Sequence, residues 1–196
     1  MEETSETSEI ATKLKSKDFR LIAIGGVDGS GKTILASKLA NMLGYVHINL
    51  DDYLEKHRGG FLGHIKYELL KTKIENIEVP IIIEGVCLLA VLKNLKKDPD
   101  LLIYIKSMSD YGRWRDEAIC EVIEDIDEFI SKEENDLIKF CELEAKMEGK
   151  ELDPDECKIP ELREEIIRYH HEFRPHKKAN IVFNLSSANK ANAADS

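Results

Sequence analysis

The chain has 196 residues, enough for one domain with an inserted subdomain, and 42% of them are apolar, enough to bury a core. Its formal charge of −10 argues against general nucleic-acid binding, because phosphate contacts need a basic surface. No apolar run reaches the roughly 18 residues that a membrane helix needs, so no membrane partner is expected.

Residues 1–17 are acidic and rich in Ser and Thr, and they read as a flexible N-terminal arm ahead of a folded domain over 18–185. Met1 to Ile10 lacks the basic and apolar regions of a secretory signal, so a cytoplasmic location is expected. Arg20-Leu-Ile-Ala-Ile24 is a short apolar run that stops at Gly25-Gly26, the pattern of a buried strand. From Lys32 the period becomes helical, with Leu35, Leu39 and Met42 or Leu43 on one face and Gly44 at the C-cap.

A second apolar run, Tyr45 to Leu50, ends at Asp51-Asp52. A glycine-marked loop (Arg58-Gly-Gly-Phe-Leu-Gly63) and a helix over 64–77 follow. Val79 to Ile83 is a third strand, ending at Glu84-Gly85, and a short helix over 86–94 leads to a fourth strand, Leu101 to Lys106. Residues 110–172 read as an acidic helical lid region, in which Ile119, Val122 or Ile123, Ile126, and Phe129 or Ile130 make an apolar stripe. Residues 107–172 hold 22 acids against 9 Lys or Arg, a net of −13, and the rest of the chain has a net of +3. Asn180 to Leu185 is a fifth strand, and 186–196 reads as a flexible tail.

Strand and helix in alternation imply an α/β fold with a parallel sheet covered on both faces, whose ligands lie beyond the carboxyl ends of the strands. Three of the five strands end in groups suited to chemistry: Gly25-Gly26, Asp51-Asp52 and Glu84-Gly85.

The segment Gly26-Val27-Asp28-Gly29-Ser30-Gly31-Lys32-Thr33 matches G-x-x-x-x-G-K-[ST] in full, after a strand and before a helix. Its glycines let backbone N–H groups approach phosphate oxygens, and the helix that begins near Lys32 adds its positive end. Lys32 supplies a point charge to the outer phosphates of ATP, the Thr33 hydroxyl suits Mg²⁺, and Ile34 completes the nucleotide-binding segment.

A carboxylate of Asp51 or Asp52, facing that loop, is placed to accept a proton from a substrate hydroxyl or to hold Mg²⁺ through water; a plain cap of the next turn is the alternative. Glu84, after a run of apolar residues, suits a metal-linked carboxylate or an exposed strand end, and Gly85 would let a substrate approach the backbone. Arg113 and Arg115 suit charge neutralisation from a closing lid, or ordinary pairing with nearby acids such as Glu117. Trp114 reads as packing, and His170, His171 and His176 as surface or packing residues without metal-ligand spacing. The cysteines Cys87, Cys120, Cys141 and Cys157 are scattered and read as reduced structural thiols.

The segments Ile24 to Thr33, Leu50-Asp-Asp-Tyr53 and Ile83-Glu-Gly-Val86 together resemble the uridine kinase and phosphoribulokinase family, whose wider group includes nicotinamide riboside and pantothenate kinases. Arg113, Arg115 and the stretch Arg174 to Phe183 are similar to its lid and last strand. The resemblance implies a P-loop NTPase three-layer α/β/α sandwich, with a five-stranded parallel sheet in the order 2-3-1-4-5 and a helical lid insertion. It implies ATP-dependent phosphorylation of a hydroxyl on a small molecule, a nucleoside or similar riboside. Asp51 would then be the base, Thr33 and Glu84 would serve Mg²⁺, and Lys32, Arg113 and Arg115 would meet phosphates. The chain departs from the family pattern in lacking Asp-His-Pro within 54–79 and in its long acidic segment 117–160. The competing expectation is a non-catalytic ATP-binding regulatory protein whose acidic helices dock a protein, and the same amphipathic helices would offer a homodimer interface.

Overall fold

The central strands form where apolar residues run without interruption, because each is covered on both faces. In the computed structural model, which describes residues 1–55, 59–123, 125–149 and 157–186, the elements in chain order begin with β1 (Glu2–Thr4) and α1 (Thr7–Lys15). Next come β2 (Leu21–Gly25), α2 (Lys32–Leu43), β3 (Val46–Asn49), α3 (Tyr67–Glu75), β4 (Ile81–Gly85) and α4 (Leu88–Asn94). The chain continues through β5 (Leu101–Met108), α5 (Glu117–Cys120), α6 (Ile126–Glu148), α7 (Glu161–Phe173), α8 (Pro175–Lys178) and β6 (Ile181–Ser186).

All the strands are parallel, in the order β1-β6-β5-β2-β4-β3. The sheet therefore has six strands rather than the expected five, and its order differs from the expected one by an added edge strand. That strand is Glu2-Glu3-Thr4, which pairs with Ile181 to Phe183. It carries no apolar run, so only its backbone bonds to β6 make it a strand.

Residues 1–17, expected as a flexible arm, are instead packed. Ile10, Ala11 and Leu14 lie on one face of α1 and are buried with Leu35 and Leu39 of α2. The reason is local: apolar residues spaced one and four apart make a helix stripe, which α2 covers. Of the expected tail, Ser186 belongs to β6, and residues 187–196 lie outside the described residues.

Alternation along the strands divides the core in two. Ile22, Ile24, Ile103, Ile105 and Phe183 face α1 and α2. Ala23, Ile83, Tyr104 and Val182 share the opposite core with Leu70 of α3, Val91 of α4 and Ile166 of α7. Gly44 closes α2 at φ 70°, its N–H donating to the Ala40 carbonyl, as the sequence suggests.

The acidic region holds the long α6, capped by Asp125, whose side chain accepts from the backbone N–H groups of Asp127 and Glu128. Its expected apolar stripe is only partly used: Ile130 is buried, whereas Ile123 is 94% exposed on the stretch before the helix. Part of the stretch expected as lid, Glu124 and residues 150–156, lies outside the described residues, as does Arg58 of the glycine-marked loop. No described helix is long and apolar enough to cross a membrane.

Candidate active site

Register brings the polar strand ends together. Gly25 of β2 is level with Gly85 of β4, and Ile24 and Asn49 flank Glu84 on its two sides. The loop Gly26–Thr33 thus leaves the sheet beside Glu84, one strand away from the turn that carries Asp51.

Two glycines explain the loop's shape. Gly31, the N-cap of α2, has φ 93°, a left-handed angle that L side chains adopt only with strain. At Gly26 a Cβ would come within 2.6 Å of the Ser30 hydroxyl and 3.1 Å of the Ile105 carbonyl, so the loop folds back on itself only without a side chain there. Ser30 is buried, and its hydroxyl has no hydrogen-bond partner among the described residues. A buried orphan hydroxyl in a loop of this kind suits an oxyanion ligand.

Lys32 is buried, and its Nζ donates to the Val27 carbonyl at 2.7 Å. Burial lowers its pKa; Glu84, Asp28 and Asp51 pull in the other direction by favouring the ammonium. Thr33 donates from Oγ1 to Glu84 Oε1 at 2.9 Å. Glu84 is only 1% exposed, and His47 Nε2 lies 3.5 Å from the same oxygen, an ion-pair distance without hydrogen-bond geometry. The Ser37 hydroxyl sits 3.3 Å from the other ring nitrogen of His47. Glu84 is therefore no exposed strand end. It is a buried carboxylate held between a hydroxyl and an imidazole.

Asp51 sits on a 3-10 turn, Leu50–Tyr53, whose first N–H groups are organised by Asn49: its side chain accepts from the Asp51 N–H at 2.9 Å. The Asp51 side chain is open to solvent, yet its carboxyl is pushed above the ordinary aspartate value by desolvation and then by the Glu84 charge, with Lys32 opposing. Lys32, Thr33, Asp51 and Glu84 line one cleft of about 520 Å³, a size suited to a small molecule, and Asp52 is not among its walls.

The far side of that cleft is apolar: Leu54, Phe61, Val86 and Leu162. The stretches 53–55 and 59–66, which supply two of these, are joined by an antiparallel Leu54–Ile65 bridge, with the Lys66 N–H donating to the Tyr53 carbonyl at 2.8 Å. Helix α7 pins the second stretch, since Glu165 Oε2 accepts from the backbone N–H of Phe61 at 2.7 Å and of Leu62 at 3.3 Å. Gly85, expected to admit a substrate, does not: a Cβ there would lie 2.8 Å from Leu50 Cβ, so core packing has taken its space.

Arg113 and Arg115 are exposed on the turn after β5 and line no part of the cleft in this conformation. The Arg115 N–H donates to the Ser107 carbonyl and that of Ser109 to the Arg113 carbonyl, and these bonds turn Trp114 inward. His170 and His176 are buried rather than on the surface, around Tyr104, whose hydroxyl lies 2.8 Å from His170 Nε2. Burial pushes the Cys87 and Cys120 thiols up to about 12, so both are unreactive structural groups at neutral pH.

Sequence reasoning did not find His47, Phe61, Leu162 or Glu165. His47 carries the one available signal, an ionisable side chain in an otherwise apolar run.

No protein-family model matches the chain, and no curated protein matches it. Among solved structures it is similar to a possible uridine kinase from Bacillus stearothermophilus, at 15% identity and TM-score 0.49, over 90% of this chain and 96% of that one. It is also similar to shikimate kinase from Bacteroides thetaiotaomicron, at 17% identity and TM-score 0.40, over 90% and 95% of the two chains. With TM-scores below 0.5, neither likeness assigns the chain a function.

Proposed function

We propose that the protein is an ATP-dependent kinase that transfers the γ-phosphate to a hydroxyl of a small molecule. The observation that carries this reading is the shared cleft: a buried lysine, a hydroxyl–carboxylate pair and a second carboxylate all line one space.

In this reading the loop Gly26–Thr33 cradles the phosphates and Lys32 draws charge from the outer ones. The Thr33 hydroxyl and Glu84 carboxylate, 2.9 Å apart, are hard oxygen donors of the kind Mg²⁺ takes together with phosphate oxygens and water. Mg²⁺ there would neutralise charge on the transferring group. Among the described residues no group of three or more His, Cys, Asp or Glu forms a metal cage, so the ion would depend on nucleotide phosphates for its remaining ligands.

Asp51 accepts the acceptor hydroxyl's proton as its oxygen attacks the γ-phosphorus; the oxygen–phosphorus bond to the departing diphosphate breaks, and its electron pair leaves with ADP. The raised Asp51 pKa makes the carboxylate a stronger base than an ordinary aspartate. Leu54, Phe61, Val86 and Leu162 exclude water from the reacting centre and give the acceptor an apolar wall, which suits a riboside or another hydroxyl compound with an uncharged ring.

The test pairs an ATP-consumption screen over nucleosides, ribosides and other alcohols with the Asp51→Asn variant. The variant is expected to keep ATP affinity within a few-fold and to lose about 10²- to 10⁴-fold in turnover on the acceptor found. Wild-type turnover in Asp51→Asn would remove the base from this position. ATP binding with no acceptor turned over would favour the regulatory alternative, with acidic α6 as its docking surface.

A further inference from the structure

A second cleft, of about 290 Å³, lies on the other side of the phosphate loop from Asp51. Its size is at the lower end of the range for small-molecule sites. Gly31 and Ile34 border both clefts, so the two are joined across the start of α2. The geometry points to this second cleft as the seat of the nucleoside half of the nucleotide, with Ser5–Ser8, the turn after β1 and the first residues of α1, as one of its walls. The N-terminal unit would then be part of the nucleotide site. This inference rests on reading Gly26–Thr33 as a triphosphate cradle.

Direction is the first argument. The γ-phosphate must face Asp51, on the β3 side of the loop, so the opposite end of the triphosphate must leave toward β6. There the cleft is bordered by Phe183 and Leu185 of β6, and a Cβ on Gly31 would lie 2.6 Å from Leu185 Cδ2, so Leu185 carries the floor up to the loop itself.

Chemistry is the second. Ile34, Lys38 and Met42 are four residues apart and form one row along α2. Ile34 and Met42 are 43% and 45% exposed, two apolar side chains left uncovered on a helix whose other apolar residues are buried or, for Leu43, half-buried. An apolar row with a lysine at its centre suits the faces of a base and a polar ribose edge. The opposite wall offers the Ser5, Thr7 and Ser8 hydroxyls and the Glu6 carboxylate, acceptors for exocyclic amino and ribose hydroxyl groups.

Preorganisation is the third. Thr4 Oγ1 accepts from the Glu6 N–H at 3.0 Å and donates to the Glu9 carboxylate, which fixes the turn. On either side of it, β1 is bonded to β6 and α1 is buried against α2. A turn locked at both ends presents its side chains at little entropic cost.

The experiment compares Mg²⁺-ATP with Mg²⁺-tripolyphosphate by calorimetry on the full chain and on Thr7→Trp, which fills the cleft from its N-terminal wall. Wild type is expected to bind ATP at least tenfold more tightly than tripolyphosphate. Thr7→Trp is expected to lose at least tenfold for ATP while holding tripolyphosphate within twofold. A wild type that binds both ligands equally would overturn the proposal and leave the phosphate loop standing; binding of neither would overturn both. Photolabelling of wild type with 8-azido-ATP needs no variant. Label within residues 5–8 or 34–42 supports the cleft, and label confined to the turn bearing Arg113 and Arg115 overturns it.

Discussion

Two polar groups are buried against this sheet, one at the ends of β3 and β4 and one alongside β5, and they are built on opposite principles. Around Glu84 the groups carry charge: a buried carboxylate, a buried ammonium and a second carboxylate all line an open cleft. Around Tyr104 the groups are neutral rings, with His170, His176 and Trp114 centred within 6.0 Å of it in edge or tilted contact. Here the hydrogen bonds run through Tyr104 and His170. The Ile166 carbonyl can only accept, so His170 Nδ1, 2.7 Å away, carries the proton, and the Tyr104 hydroxyl donates to Nε2. Burial holds His170 at a pKa of about 4, which keeps that neutral tautomer in place at physiological pH.

The difference separates chemistry from packing. Buried charge is costly unless it is paired, and a site that keeps it beside an opening does so to meet a charged ligand. A neutral ring cluster away from the cleft holds up the fold, although Trp114 Nε1 and both His176 ring nitrogens are buried without a hydrogen-bond partner among the described residues. Trp114 belongs to this second group, with the Lys106 ammonium 4.6 Å from its ring, although it lies between two arginines that look like ligand contacts in the sequence.

The sharpest way to break the contrast is Lys32→Ala. Loss of the buried cation is expected to lower kcat/KM by about 10²- to 10³-fold or more with little change in fold, measured by turnover and circular dichroism. Glu84→Gln keeps shape and an acceptor for Thr33 but removes charge. Turnover should fall about 10- to 100-fold, with a raised Mg²⁺ requirement in a metal titration.

Across the sheet the expectations reverse. Tyr104→Phe leaves His170 Nε2 buried without its donor, a loss of about 1–3 kcal/mol in stability, seen in denaturant melts, while turnover stays within twofold. A large activity loss in that variant would erase the distinction. The pH dependence of stability is the gentlest probe. His170 is held below its usual 6.5, so the unfolded chain takes up a proton first as pH falls; stability contributed by the neutral ring is present above 6.5 and declines toward pH 4. His170→Gln should flatten that decline in melts run from pH 7 to 4.

Much of this was legible in the sequence where physics is local. Solid apolar runs mark the strands, and the spacing of glycines, Lys32 and Thr33 marks the loop. What stayed hidden depends on distant parts of the chain. Leu162 reaches the cleft from α7, and Glu165 of the same helix holds Phe61, about a hundred residues away, and no periodicity signals that meeting. That Asp51 and not Asp52 lines the cleft depends on the tight turn that Asn49 caps. The three polar residues of β1 had no pattern to betray them, because a strand bonded through its backbone at a sheet edge asks little of its side chains.

That same edge strand sets an order on assembly. Glu2 pairs with Ile181, so the residues of β1 find their partners only after all the elements between them have been made. Closing so long a loop is slow relative to the local βα units, and the strand with the fewest contacts joins last. The sheet is finished by joining β1 to β6. During synthesis the edge of the growing sheet therefore stays open until β6 emerges to bridge β5 and β1.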